Sequence, residues 1–228
     1  MNETKKTCAL VQTLLQAFLA GFCIAIGGTV FLRLKDAFPG GNVAGAFLFS
    51  VGLFTICTKG FALFTGKACY LLQQGRKTLS YCCYLALVWI GNLLGASALA
   101  ALEKATTVGN GLRETAKIMI ESKMSCSYLS LFLLGLLCNV LIYIAVSSYA
   151  RNPHEAGKYI GLILAVMTFI LVGSEHSVAD MYYWAVSGVL LDLPAESFLR
   201  LVIISLGNVV GGALFCQLEH WATVKKSE

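Results

Sequence analysis

Of the three histidines in the 228 residues, only His176 stands in apolar sequence, flanked by Glu175 and followed by Asp180. Histidine has an unperturbed pKa of about 6.5, so both protonation states are within reach near neutrality, and an ionisable side chain inside an apolar span marks a substrate or proton path. Taken alone, the Glu175-His176 pair reads equally well as a structural tie between two helices. His154, in Arg151-Asn152-Pro153-His154, and His220 read as solvated loop and tail residues. The histidines are far apart, and neither Cys-x-x-Cys nor His-x-x-x-His spacing occurs, so no metal or other cofactor is expected. Eight of the nine cysteines fall in or at the ends of apolar spans, where a thiol packs as a small hydrophobe.

The elements that must position His176 are set by composition. The chain is 57% hydrophobic and 13% charged, against about 25% charged in soluble domains, and has a mean hydropathy of +0.75. Uncharged runs cover Thr7 to Leu32, Ala37 to Thr58, Thr78 to Leu102, Met124 to Ala150 and Leu201 to Leu218. Each is near the 20 residues a helix needs to cross roughly 30 Å of hydrocarbon. A sixth span is predicted between Tyr159 and Leu191, interrupted by the polar cluster Glu175, His176 and Asp180. The predicted fold is therefore an all-α membrane protein of six transmembrane helices, a single transport domain over 1–228 with no room for a soluble one. The first run is too long for a signal peptide and is expected to remain in the mature protein. The net charge of +5 is scattered over short loops, which excludes a nucleic-acid-binding face.

An even number of spans puts both termini on one side, together with Lys5, Lys6, Arg76, Lys77, Arg151, Lys158, Lys225 and Lys226. Seven cations fall on the other side, four of them interleaved with acids between Glu103 and Lys123. The expectation is a multi-pass protein of the cell membrane with cytoplasmic termini, and an amphipathic excursion outside over Glu103 to Lys123.

The third and sixth spans share a phrase, Gly91-Asn92-Leu93-Leu94-Gly95-Ala96 and Gly207-Asn208-Val209-Val210-Gly211-Gly212, offset by 116 residues. The first and fourth agree more loosely, Leu19-Ala20-Gly21-Phe22-Cys23 against Leu134-Gly135-Leu136-Leu137-Cys138. Three spans per repeat is odd, so the second half, about 124–218, must be inverted relative to the first, about 7–102. The middle span of each half is broken, at Thr58-Lys59-Gly60 with Phe64-Thr65-Gly66-Lys67, and at Gly173-Ser174-Glu175-His176. Matching interruptions in inverted halves predict a site where the two middle spans meet.

These phrases resemble the formate/nitrite transporter family: Phe18-Leu19-Ala20-Gly21 with Gly27-Gly28, Leu63-Phe64-Thr65, Gly91-Asn92, Asn139, Gly173-Ser174-Glu175-His176-Ser177-Val178-Ala179-Asp180-Met181 and Gly207-Asn208. The resemblance implies an aquaporin-like protomer in a homopentamer, each with its own pore for a small monovalent anion. It implies Thr65 bonded to the imidazole of His176, Asn139 near the path, and Lys158 as a cation at the cytoplasmic vestibule. Phe49, Leu53, Leu63, Phe64 and Phe169 would form the apolar constrictions. Ser174 stands where the family usually has an aromatic residue, Asp180 where asparagine is usual and Gln12 where several members have lysine, departures that bear on substrate and vestibule charge.

A bare anion in a narrow apolar passage is far costlier than its neutral conjugate acid. The expected function is therefore proton-coupled passage of weak-acid anions, of the formate, nitrite and hydrosulfide class, with His176 helping to protonate the anion. Glu175 is expected to orient backbone N–H groups at the break, Thr65 to cap the half-helix after it as well as to meet the imidazole, and Lys59 and Lys67 to snorkel toward headgroups. A channel for neutral solutes is the nearest rival, although the one Asn-Pro pair, Asn152-Pro153, lies in a charged loop without a counterpart. A membrane-embedded enzyme ranks below both.

Overall fold

The computed structural model describes residues 3–223. The side chains of Lys5 and Lys6, and Lys225 and Lys226 altogether, which entered the charge count for orientation, lie outside that description. Among the described residues the secondary structure is entirely helical. The first half contains α1 (Glu3–Leu34), α2 (Gly41–Lys59), the short α3 (Phe64–Ala68) and α4 (Thr78–Lys104). Then follow α5 (Gly109–Ser125), α6 (Tyr128–Arg151), α7 (Glu155–Leu171), α8 (Ser177–Ser187), the single turn α9 (Val189–Asp192) and α10 (Pro194–Thr223).

Five helical stretches are long and apolar enough to cross a bilayer: Thr7–Leu34, Gly41–Lys59, Gly75–Lys104, Tyr128–Arg151 and Pro194–Thr223. The segment predicted as a sixth span forms the pair α7 and α8, divided at 172–176 where the polar cluster stands. The second span divides in the same way into α2 and α3. Large apolar side chains such as Leu15, Ile90, Leu129 and Leu206 lie on the outer surface, as lipid contact demands.

Packing repeats between halves. α1 packs along α2 and α4, α6 packs along α7 and α10 in the same manner, and α2 meets α7 at the centre. Each short half-helix crosses to the other repeat: α3 lies against α10 and α8 against α4. Close approach rests on glycines of the shared phrase, since lipid supplies no hydrophobic force between helices. A Cβ on Gly95 would sit 1.9 Å from the Phe18 carbonyl oxygen, and one on Gly211 2.0 Å from that of Leu136.

α5 belongs to neither repeat and is amphipathic. Leu112, Ala116 and Ile120 are buried at four-residue spacing, while Glu114, Lys117 and Glu121 are exposed. The charges at the ends of this excursion are not all solvated, however. Glu103 is buried, accepting from Thr29 Oγ1 at 2.5 Å and from the Tyr182 hydroxyl at 2.7 Å, which ties α1, α4 and α8 together.

Candidate functional site between the broken helices

Each break ends a helix at a left-handed glycine, Gly60 with φ of 71° and Gly173 with φ of 74°, a conformation other residues adopt only with strain. The chain then turns back alike in both halves. Phe61 N–H donates to the Ile56 carbonyl at 3.1 Å, and Ser174 N–H to that of Phe169 at 3.0 Å.

The exposed backbone of each break is bound by the asparagine of the shared Gly-Asn phrase. Asn92 Oδ1 accepts from Phe64 N–H at 2.8 Å, and its Nδ2 donates to the carbonyls of Ala17 and Ala62. Asn208 Oδ1 accepts from Ser177 N–H at 3.0 Å, and its Nδ2 donates to the carbonyls of Gly135 and Glu175. The pairs Ala62 with Glu175 and Phe64 with Ser177 are each 113 residues apart, so the inverted repeat is present in hydrogen bonds as well as in sequence. Ala17 and Gly135 are 118 apart, so the first and fourth spans align three residues away from the register that their residue types indicate.

Two cavities open at opposite ends of the break region. One, about 310 Å³, is lined by Leu53, Leu63, Lys67 and Tyr70 with the end of α6; the other, about 410 Å³, by Phe49, Phe169, His176, Asp180 and Tyr183 with α5 and Phe31. Shifting the nine α2–α3 positions that line the first by 113 residues gives eight that line the second. Ile56 answers to Phe169, Phe61 to Ser174, Leu63 to His176, Lys67 to Asp180 and Tyr70 to Tyr183. The cavities are thus the two vestibules of one hourglass. Phe49 and Leu53, which line opposite vestibules, are one turn apart on α2, about 6 Å along its axis, and a barrier of buried side chains lies between the vestibules.

That barrier holds four apolar side chains and a polar pair. Phe49, Leu53, Leu63 and Phe169 are all buried, with Phe169 edge-on to Phe49 at 6.0 Å and stacked on the imidazole at 5.5 Å. Thr65 and His176, 0% and 2% exposed, meet across it with Oγ1 to Nε2 at 2.9 Å. His176 also caps α8, its Nδ1 accepting from Ala179 N–H at 3.1 Å. A nitrogen that accepts carries no proton, so in the neutral ring the proton lies on Nε2, directed at Thr65. Capping of the second half-helix therefore falls to His176, whereas Thr65 lies inside α3 and makes no cap bond.

The geometry divides the remaining expected residues. Phe64 points away: next to Thr65 on the turn it faces an apolar groove between α4 and α10, with Trp89 and Phe198, and lines neither vestibule. Asn139 also lines neither. It braces the site from behind, donating to the carbonyls of Thr65 and Asn208 at 3.1 and 2.7 Å. Lys158 stands at the end of the bundle holding the smaller vestibule but is not in its wall, and bonds Glu155 at 2.7 Å. Lys67 is the cation that lines that vestibule, so it is not merely anchored at the headgroups.

Glu175 lines the larger vestibule, and its carboxylate reaches Lys123 rather than the backbone N–H groups of the break. Lys123 also lies 2.9 Å from Asp180 Oδ1. It stands at the end of α5, outside the five long apolar helices. Burial disfavours its ammonium, but Asp180 and Glu175 outweigh that, so its pKa is raised and it remains charged. Two acids in an apolar span call for a counter-ion, yet nothing in the spacing selects Lys123 among the cations of that segment.

The sequence matches the formate/nitrite transporter family over residues 1–222. The chain belongs to the formate/nitrite transporter family. Among relatives of this family, a probable formate transporter of Methanothermobacter thermautotrophicus is 28% identical, over 98% of this chain and 93% of its own length. The nitrite transporter NirC of Salmonella typhimurium is 30% identical over 79% of this chain and 70% of its own. Among solved structures, a pentameric formate channel with formate bound has a TM-score of 0.80 and 25% identity, covering 94% of this chain and 97% of its own. Formate/nitrite transporters are channels and transporters rather than enzymes.

Proposed function

We propose that the protein passes small monovalent anions of weak acids, of the formate, nitrite and hydrosulfide class, together with a proton, and that His176 assists the step at which the anion becomes neutral. The whole chain acts as one transport unit. The observation that carries this reading is the thin barrier itself: two vestibules end on opposite sides of one helical turn that buries Phe49 and Leu53, and the polar pair Thr65 and His176 meets beside it. Water-filled mouths bring an anion to the barrier, and the apolar turn admits its conjugate acid at much lower cost than the ion.

Nε2–H of the neutral imidazole and the Thr65 hydroxyl offer hydrogen bonds where hydration ends, holding the anion while it takes up the proton. Protonating Nδ1 would break the cap on Ala179, which favours a neutral ring through the cycle. Lys67 draws the anion electrostatically to the smaller vestibule, with Lys158 supporting that mouth from outside its wall. With both termini cytoplasmic in the cell membrane, that mouth is the inner one and the mouth containing Asp180 is the outer. The pentameric formate channel supports a homopentamer with one path per protomer.

The test is purified protein in liposomes carrying a lumenal pH dye, with formate, nitrite and hydrosulfide added in competition. Each anion is expected to acidify the lumen as it enters and to slow the others. Absence of flux, or flux with no accompanying change in lumenal pH, would contradict the proposal.

A further inference from the structure

The larger vestibule holds more negative charge than attraction of an anion would call for. Lys123 Nζ is bonded to Glu175 and lies 2.9 Å from Asp180 Oδ1, so two carboxyl groups sit within a few ångströms of each other on one ammonium. Both are buried, Asp180 to 1% exposure, and both line the cavity that ends at His176. If both were ionised, one negative charge would face the incoming anion without a counter-charge.

The groups presented by the surrounding elements do not supply one. Lys35, beyond α1, is paired with Asp36; Cys138 on α6 and Tyr183 on α8 are neutral in their ordinary forms; His176 has Nδ1 committed to Ala179. Asp180 Oδ2, moreover, is buried without a hydrogen-bond partner among the described residues. A carboxylate oxygen so placed is strongly disfavoured as an anion, and adjacent carboxylates resist being ionised together.

We propose that Glu175 and Asp180 share one transferable proton, and that this carboxyl pair is the donor that neutralises the anion at the floor of the larger vestibule. The inference rests on the anion-plus-proton reading and assigns its proton a place. In the step, the O–H bond of the shared carboxylic acid breaks and its electron pair stays on the carboxylate. A new bond forms between the proton and the anion, and the neutral acid crosses beside His176. A hydronium ion in the vestibule water then returns a proton to the pair and becomes water, while Lys123 holds the two carboxylates in the interval. At the inverted position in the other vestibule stands Lys67, a cation that favours loss of the proton and release of the anion there. The two mouths are therefore chemically unequal although their walls are related by the repeat.

Asp180→Asn keeps the shape and removes one of the two carboxyls. The reconstituted wild type is expected to show, at pH 7, an infrared carbonyl band of a protonated carboxyl that Asp180→Asn lacks. The midpoint of formate flux against pH is expected to move by about one unit to the acid side in the variant. Glu175→Gln is read by the same two criteria if Asp180→Asn does not elute as the wild type. Absence of the band with flux intact, or superimposable flux profiles, would overturn the carboxyl pair as donor while leaving proton-coupled transport standing. A band present with no flux of formate, nitrite or hydrosulfide would overturn the transport reading and the donor role with it.

Discussion

At the scale of single residues, the site depends on which atoms of His176 are already engaged. The Nδ1 bond to Ala179 N–H fixes the ring proton on Nε2, and Nε2 meets Thr65 at 2.9 Å. Thr65→Val keeps the shape and deletes the hydroxyl. Loss of one hydrogen bond of about 0.5–1.5 kcal/mol in the barrier is expected to slow formate flux roughly 3- to 10-fold in liposomes without changing the elution of the protein. Unaltered flux would show that the hydroxyl serves only to orient the ring. His176 was legible because it interrupts apolar sequence, and its contact with Thr65, 111 residues away, followed only from family resemblance. Lys123 was not legible. A lysine in an amphipathic segment is solvated in most settings, and only the folding of α5 over the second break brings it to Glu175 and Asp180. Phe64 was misplaced for the opposite reason, since apolar character does not reveal which way a side chain faces on a five-residue helix.

At the scale of elements, the two broken spans are held by the same device, an asparagine on the third helix of each half that binds three backbone groups of its break region. Non-helical backbone at membrane depth is tolerated only when its polar groups are satisfied internally. Asn208→Ala would leave Ser177 N–H and the Gly135 and Glu175 carbonyls short of a partner. Its expected cost is about 2–4 kcal/mol, and Asn92→Ala should cost about as much because its contacts are equivalent. Thermal unfolding in detergent measures both, and a wild-type melting temperature in either variant would contradict this role. The breaks and the Gly-Asn phrase were readable from residue types and spacing. The three-residue shift in register between the first and fourth spans was not, because Leu and Ala on an apolar helix do not mark which carbonyl an asparagine will bind.

At the scale of the whole molecule, the inverted repeat builds one hourglass from two copies of a three-span unit, and function arises where the copies differ. Leu63 answers to His176 and Lys67 to Asp180, so one wall carries an imidazole and a carboxyl where the other carries an apolar side chain and a cation. The all-helical membrane-protein fold was evident from hydropathy and charge spacing, whereas the cavities, which depend on side-chain direction at each break, required the folded chain. The central claim is that the imidazole at the barrier assists passage of an anion with its proton, and His176→Asn tests it most directly because asparagine can still cap α8. Proteoliposome flux of formate, recorded by lumenal pH, is expected to fall about 10- to 100-fold in the variant, as loss of a charge-assisted hydrogen bond of about 1.5–3 kcal/mol requires. Flux equal to that of the wild type would contradict the account.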